Sequence, residues 1–281
     1  MQEIKSKKDS VKKRVGVLRG GTGEHYHSSL RKGGDIISHI SENLADKYKT
    51  IDILIDKEGV WHLNGIPISP ADLIHKVDLV WDTTHPSAGI ILDNFSIPNI
   101  GSGSFLGNNV DLIRKHVKSI GLNMPRQIVS PKTARAVFEK FGAPWIVGDE
   151  LVKTFAELIE LIENNENILV EEFIAGKVAS VHSLPHFRGQ DFYTFPVVNV
   201  FGILSGEEKE KLTNLTKDLH KHIGGEHYLK SNFVLNKRGK IYLLELDSTP
   251  NLKSYSHFAQ ACESVGAKMH QVVEHILEKA L

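Results

Sequence analysis

Residues 242–251 read Tyr-Leu-Leu-Glu-Leu-Asp-Ser-Thr-Pro-Asn, an apolar run that carries two acidic side chains toward a proline. The run predicts a β-strand, and Glu245 and Asp247 are two residues apart within it. Because side chains alternate across a strand, both carboxylates should lie on the same face. Two carboxylates so close repel each other unless a cation lies near them, and oxygen ligands suit a hard cation such as Mg²⁺. The pair therefore predicts a divalent metal site, with two solvated strand-end acids as the alternative.

The composition is that of an ordinary globular protein. Of the 281 residues, 41% are hydrophobic and 24% are charged, which argues against extensive disorder. Lys plus Arg and Asp plus Glu both number 34, so the net charge of +0 offers no electrostatic reason for a nucleic acid or an anionic membrane as partner. No apolar run reaches the roughly 20 residues that span a bilayer. A single cysteine, Cys262, excludes an internal disulfide and a cysteine-based zinc site. These features predict a cytoplasmic protein.

Histidine is the one residue type in clear excess. There are 15, roughly twice the number expected at average composition. Their spacing matches no strong zinc signature, and we interpret them as scattered surface and core residues.

The pattern of strands and helices predicts three small units with an overall α+β architecture. Residues 14–18 form an apolar run that ends in a glycine-rich turn at 19–23, followed by a helix over 28–44, the opening of a nucleotide-binding-like βα unit. Further strands are predicted at 51–55, 77–81, 145–147, 168–174, 192–200, 231–235 and 241–246. Further helices are predicted at 109–120, 131–141, 155–163, 207–222, 257–265 and 269–281.

Five short motifs occur in order along the chain: GGT at 20–22, IPNIGSGS at 97–104, ILVEEFIAGK at 168–177, HYLKSNFVL at 227–235 and YLLELDSTPNLKSYS at 242–256. In this order they resemble the D-alanine–D-alanine ligases of the ATP-grasp superfamily, from Arg14 to the C-terminus. The resemblance implies an ATP-grasp fold with an N-terminal Rossmann-like α/β domain. It divides the chain into a basic tail (1–13), an N-terminal domain (14–100), a shortened central subdomain (101–174) and a C-terminal subdomain (175–281).

The resemblance also implies a reaction, its cofactors and its partners. In the family, ATP with Mg²⁺ phosphorylates the carboxylate of one D-alanine, and the amine of a second D-alanine attacks the acylphosphate. The dipeptide that forms is used in the synthesis of peptidoglycan precursors. It implies a D-alanine-like amino acid as substrate and a homodimer. The positions that align with site residues of the family are the following: Glu245, Asp247 and Asn232 for metal; Lys230, Ser102 and Ser256 for catalysis; Glu171, Glu172, Phe173 and Ile174 for the adenine.

Several positions depart from the family pattern. The family's strand ending in Lys-Pro and its Gly-Ser-Ser phosphate loop are replaced by a shorter segment at 145–150, and the lid at 199–205 is short. An arginine of the family is Lys230, which lacks the planar fork of a guanidinium. A metal-binding aspartate is Asn232, which brings no negative charge, and a glycine of the oxyanion hole is Asn251.

These departures predict reduced or lost ligase activity. Two classes of function then remain open. One is a ligase with altered use of ATP, in which Glu245, Asp247, Lys230 and Ser256 carry the residual chemistry. The other is a non-catalytic ATP-grasp homologue that binds a small ligand or a partner protein.

Overall fold

The computed structural model describes residues 11–84, 86–101, 110–148, 150–165 and 167–281. These residues form three β-sheets with helices packed against them, a mixed architecture consistent with the predicted α+β class. No helix within these ranges is both long and apolar enough to cross a membrane.

The first sheet has six strands in the order β4-β3-β2-β1-β5-β6. Its strands are β1 (Lys13–Gly20), β2 (Tyr48–Ile55), β3 (Trp61–Leu63), β4 (Ile66–Ile68), β5 (Leu79–Asp82) and β6 (Asn99–Gly101). Strands β2, β1, β5 and β6 are parallel, and the β3–β4 hairpin extends the sheet antiparallel to β2. The helices of this unit are α1 (Tyr26–Asn43) and α2 (Pro86–Asn94).

The turn after β1 depends on glycine. Gly20 has a φ of +94°, and a Cβ atom there would lie 2.1 Å from the carbonyl oxygen of Ile55. The backbone N–H of Gly20 donates to Ser29 Oγ at 2.9 Å, and Ser29 Oγ lies 3.1 Å from Thr83 Oγ1. The Gly20 N–H at the start of the glycine-rich turn is therefore used in a hydrogen bond within the fold.

The second sheet is antiparallel, with the order β7-β10-β8-β9. Its strands are β7 (Gln127–Val129), β8 (Trp145–Val147), β9 (Glu150–Val152) and β10 (Leu169–Glu172), and its helices are α4 (Ala134–Phe141) and α5 (Phe155–Asn164). A separate small core of Val137, Trp145, Leu158 and Val170 holds this unit together.

The third sheet has the order β12-β11-β14-β15, with β13 also paired to β11. Its strands are β11 (Gly176–Pro185), β12 (Phe192–Thr194), β13 (Val198–Phe201), β14 (Leu229–Asn236) and β15 (Ile241–Asp247). Helices α3 (Val110–Ser119) and α6 (Gly206–Ile223) share one core with it. Helices α7 (His257–Glu263) and α8 (Met269–Ala280) belong to a second core that also includes residues of the first sheet and α1.

This second core joins the two ends of the chain. Val17, Ile40 and Trp81 from the first unit pack in one cluster with Phe258 and Cys262 from the last. Burial raises the pKa of the Cys262 thiol to about 12, so the only cysteine stays protonated and unreactive.

Two strand predictions need correction. The predicted strand at 192–200 is two strands, β12 and β13, both paired to β11. Strand β11 itself was not predicted, although its ten residues make it the longest strand described. Its sequence, GKVASVHSLP, mixes small polar with apolar residues and has no simple apolar pattern, since its two edges are both paired and its two faces contact different cores.

One helix prediction also needs correction. Helix α4 begins at Ala134 rather than at 131, since the Thr133 hydroxyl accepts the Ala136 N–H as its N-cap.

Candidate functional site

The residues predicted to bind metal lie on neighbouring strands. In the antiparallel pair β14–β15, Asn232 pairs with Glu245 and Lys230 pairs with Asp247. A β-bulge in β15 leaves Leu244 without a partner residue between the pairs Phe233–Leu243 and Asn232–Glu245. Cross-strand partners share a face, so all four polar side chains belong to one face of the sheet.

A chain of polar contacts engages Glu245. Ser180 Oγ on β11 donates to Asn232 Oδ1 at 2.5 Å, and Asn232 Nδ2 donates to Glu245 Oε2 at 2.7 Å. Lys230 Nζ lies 3.5 Å from the same carboxylate oxygen. Asn232 therefore presents its amide N–H, and not its carbonyl oxygen, to the glutamate.

Asp247 is engaged separately. Lys32 Nζ on α1 lies 3.2 Å from Asp247 Oδ2, and the Thr249 backbone N–H donates to Asp247 Oδ1 at 2.9 Å. The Lys32 and Asp247 side chains are 29% and 24% exposed. This ion pair ties the first unit to the end of β15.

The residues present do not fit a Mg²⁺ ion in this arrangement. A hard cation needs several oxygen ligands that converge, whereas Glu245 and Asp247 each face a lysine ammonium. Asn232 adds an N–H donor where an oxygen would be needed. Within the described ranges, no three His, Cys, Asp or Glu side chains come close enough to hold a metal ion.

A buried histidine lies beside Lys230. His182 on β11 pairs with Lys230 in register, and its Nδ1 lies 2.6 Å from the Tyr228 hydroxyl. Burial, with smaller contributions from Lys230 and His257, lowers the pKa of His182 to about 3. Burial also raises the pKa of Tyr228 well above its usual range. At neutral pH both groups are uncharged.

The predicted adenine-binding segment, Glu171 to Ile174, covers the end of β10 and the start of the connection to β11. Two guanidinium nitrogens of Arg126 each donate to Glu172 at 2.8 Å, and this contact lowers the pKa of that carboxyl group. Burial raises the pKa of Glu171, whose Oε1 lies 4.0 Å from Arg114 Nη2. Both acidic side chains are thus directed to arginine side chains.

The segments that depart from the family pattern are short in three dimensions as well. Only residues 148 and 149 separate β8 from β9, which pair as a hairpin. Four residues, 202–205, separate β13 from α6, and Ser205 is already the N-cap of that helix. Phe201 and Ile203 are 69% and 83% exposed, so this stretch does not fold over the sheet.

Of the three predicted catalytic residues, Lys230 and Ser256 are described, and Ser102 lies outside the described residues. Ser256 Oγ accepts the Ala259 N–H at 3.0 Å as the N-cap of α7, and it donates to the Asn251 carbonyl at 2.8 Å. Both contacts are made within the chain and stabilise the start of α7.

Replacing Ser256 with alanine should lower the free energy of unfolding by about 1 kcal/mol, because an N-cap hydroxyl is lost. Urea-induced unfolding measures the change. Ser256→Thr retains a hydroxyl that can both accept and donate and should recover most of the stability, whereas equal losses for both variants would contradict the capping role.

Sequence reasoning missed Lys32 and Ser180. Lys32 lies on α1, 215 positions from its partner, and nothing local to it indicates the contact. Ser180 could have been found from the alternation in KVASVHS, which places Ser180 and His182 on one face of a strand.

The chain is similar to known proteins over nearly its full length. A family model described as D-ala D-ala ligase C-terminus matches residues 194–278. The D-alanine–D-alanine ligase of Aquifex aeolicus is 24% identical, over 94% of this chain and 99% of the relative. The D-alanine–D-alanine ligase B of Clostridium perfringens is 23% identical, over 95% and 98%.

Solved structures give the same result for the fold. D-alanyl-alanine synthetase A from Vibrio cholerae superposes with a TM-score of 0.77 at 17% identity, over 96% of this chain and 99% of that one. D-alanine–D-alanine ligase from Bacillus anthracis, complexed with ATP, superposes with a TM-score of 0.74 at 18% identity, over 95% and 96%.

Proposed function

We propose that this chain, which has the fold of the D-alanine–D-alanine ligases, is a member of their family. We propose further that it is a ligase-like protein whose ligase activity is reduced or lost. The family reaction joins two D-alanines at the expense of ATP. We further propose that the chain keeps the family's cytoplasmic location and its division near residues 100 and 174.

One observation carries the proposal: an ammonium group faces each carboxylate at the expected metal position. Lys230 lies 3.5 Å from Glu245, and Lys32 lies 3.2 Å from Asp247. A divalent ion would have to displace both lysines and would meet electrostatic repulsion from them.

Two further features support the same proposal. Phosphoryl transfer relies on groups that grip the phosphates and screen their charge, and the β8–β9 hairpin has only a two-residue connection where the family has its phosphate loop. An acylphosphate also requires a site that excludes water. The stretch from Phe201 to Ser205, in which only Leu204 is buried, is too short to supply such a cover.

The first test is isothermal titration of ATP with Mg²⁺ into the full-length protein, followed by a D-alanine ligation assay that detects the dipeptide. We expect no binding heat up to about 1 mM ATP. We expect a ligation rate at least about 10⁴-fold below that of the Aquifex aeolicus ligase, because the loss of single phosphate or oxyanion contacts already costs about 10²–10³-fold. Micromolar ATP binding with dipeptide formation would refute the proposal and favour a ligase with altered ATP use.

A matched variant tests whether the lysines are the cause. In Lys32→Ala/Lys230→Ala/Asn232→Asp, both ammonium groups are removed and a carboxylate is added opposite Glu245. We expect this variant to bind Mg²⁺ measurably where the native chain does not. If Mg²⁺ binding is equally absent from the variant, the pairing with lysine is not what prevents it.

A further inference from the structure

Two of the histidines meet on the surface between α3 and α6. His116 Nδ1 lies 3.1 Å from His222 Nε2, and the two rings are arranged edge-on with their centroids 5.1 Å apart. Ser119 Oγ lies 2.9 Å from the same His222 nitrogen. This cluster is separate from the residues of β14 and β15 described above, and the proposed function makes no use of it.

The two helices hold this pair in place through their apolar faces. Ile113 and Val117 of α3 flank His116, and Leu219 and Ile223 of α6 flank His222 in the same way. All four apolar side chains are buried in one cluster. Because the packing determines where the helix backbones lie, the imidazoles are brought together with little loss of conformational freedom on binding a ligand.

The separation of the two nitrogens suits a tetrahedral metal ion. At a zinc–nitrogen distance of about 2.0–2.1 Å, two tetrahedral ligands are roughly 3.3 Å apart. The observed 3.1 Å is within a small side-chain rotation of that value. We propose that His116 and His222 bind one divalent transition-metal ion of the imidazole-preferring class, such as Zn²⁺, which bridges α3 and α6.

The surroundings indicate how the site would work. Ser119 Oγ donates to the His116 backbone carbonyl at 2.7 Å, so its oxygen is free to accept the His222 Nε2–H. Metal binding therefore requires His222 to move this proton to its other nitrogen, a change of tautomer without a change of charge. Among the described residues, no group of three or more His, Cys, Asp or Glu side chains contains this pair, so we propose a site with two imidazole ligands.

Two protein ligands supply about half of the binding free energy of a four-ligand zinc site, which corresponds to a dissociation constant on the order of 10 μM. The exposed neighbours Lys118 and Lys221 oppose a cation and argue against tighter binding. The selectivity follows from the ligand type, because imidazole suits Zn²⁺, Ni²⁺ and Cu²⁺ but not Mg²⁺ or Ca²⁺.

The test is titration of Zn²⁺ into the full-length protein, measured by competition with a chromophoric chelator. We expect the native chain to bind one Zn²⁺ with a dissociation constant of about 10 μM. We expect binding to be at least about tenfold weaker in His116→Ala and in His222→Ala. His270→Ala removes a histidine of α8 outside the pair and should bind like the native chain. At 100 μM, Zn²⁺ should raise the Tm of the native chain by about 3 °C and that of His222→Ala by less.

Either of two results would overturn the proposal. One is unchanged Zn²⁺ affinity in both alanine variants, which would assign the metal to other histidines. The other is no binding to the native chain up to about 1 mM, which would leave only a hydrogen-bonded pair. Histidine ring ¹⁵N shifts on the native chain give the same answer without a substitution, because ligation must perturb His116 and His222 selectively. Neither result depends on ATP binding, so this proposal and the proposed function fail separately.

Discussion

Lowering the pH from 7 to 5 should reduce the free energy of unfolding by about 4 kcal/mol through two buried histidines alone. Burial lowers the pKa of His182 to about 3 and that of His220 to about 4. In the unfolded chain both imidazoles take up a proton near pH 6.5. Between pH 6.5 and these lowered values, the unfolded state binds more protons than the folded state, so stability falls as the pH falls. At pH 5 each histidine accounts for about 2 kcal/mol.

The structural reason is that a positive charge on either ring would be buried away from water. His182 and His220 are almost fully buried, and each has one nitrogen hydrogen-bonded to a neutral hydroxyl group, of Tyr228 and Ser183 respectively. Among the described residues, His182 Nε2 is buried with no hydrogen-bond partner. A protonated ring would need an acceptor at that nitrogen. The lowered pKa of His227, which is also caused mainly by burial, acts in the same direction.

Urea-induced unfolding at pH 7, 6 and 5 measures the effect. The double variant His182→Phe/Tyr228→Phe replaces one hydrogen-bonded pair with apolar rings and leaves no unpaired hydroxyl. Its stability loss between pH 7 and pH 5 should be about 2 kcal/mol smaller than that of the native chain. An identical pH dependence in both proteins would show that His182 does not titrate as argued.

Replacing Phe258 with alanine should cost about 3–5 kcal/mol of stability, the largest effect we expect from a single substitution. Phe258 is 1% exposed, and its ring centroid lies 4.8 Å from that of His182, 5.1 Å from that of Phe195 and 5.0 Å from that of Tyr228. It therefore joins α7 to the face of the third sheet that carries the polar site. Its removal leaves a cavity that rigid strands cannot close.

Phe258→Ala should also change the pH dependence of stability, and this second effect shows whether the lost packing against His182 is the cause. Water entering the cavity would hydrate His182 and return its pKa toward the ordinary value, so Phe258→Ala should lose less stability than the native chain between pH 7 and pH 5. Phe201→Ala is the matched control, because the Phe201 ring is largely exposed and its removal should change stability by no more than about 0.5 kcal/mol. A comparable cost for both phenylalanines would contradict the packing account.

Local pattern predicted a large part of the fold. The helices at 28–44, 207–222 and 269–281 and the strand at 241–246 correspond to α1, α6, α8 and β15 with small shifts at their ends. Each has a clear apolar period over many residues, which is the most reliable signal available without homologues. Strand β11 had only the short alternation at 177–183, because its residues face two different cores and its stability comes from pairing on both edges.

The candidate site divides in the same way. The order of five motifs was enough to indicate the resemblance to the D-alanine–D-alanine ligases. The spacing of Glu245 and Asp247 was enough to put both carboxylates on one face, since it depends only on neighbouring residues. Which cation each carboxylate meets was decided by tertiary structure. Strand pairing places Lys230 beside Glu245. Lys32 contacts Asp247 from a helix 215 positions away in the sequence that packs against the C-terminal unit. Charges interact through space and not along the chain, so only the folded arrangement could reveal that lysines stand against the residues expected to bind metal.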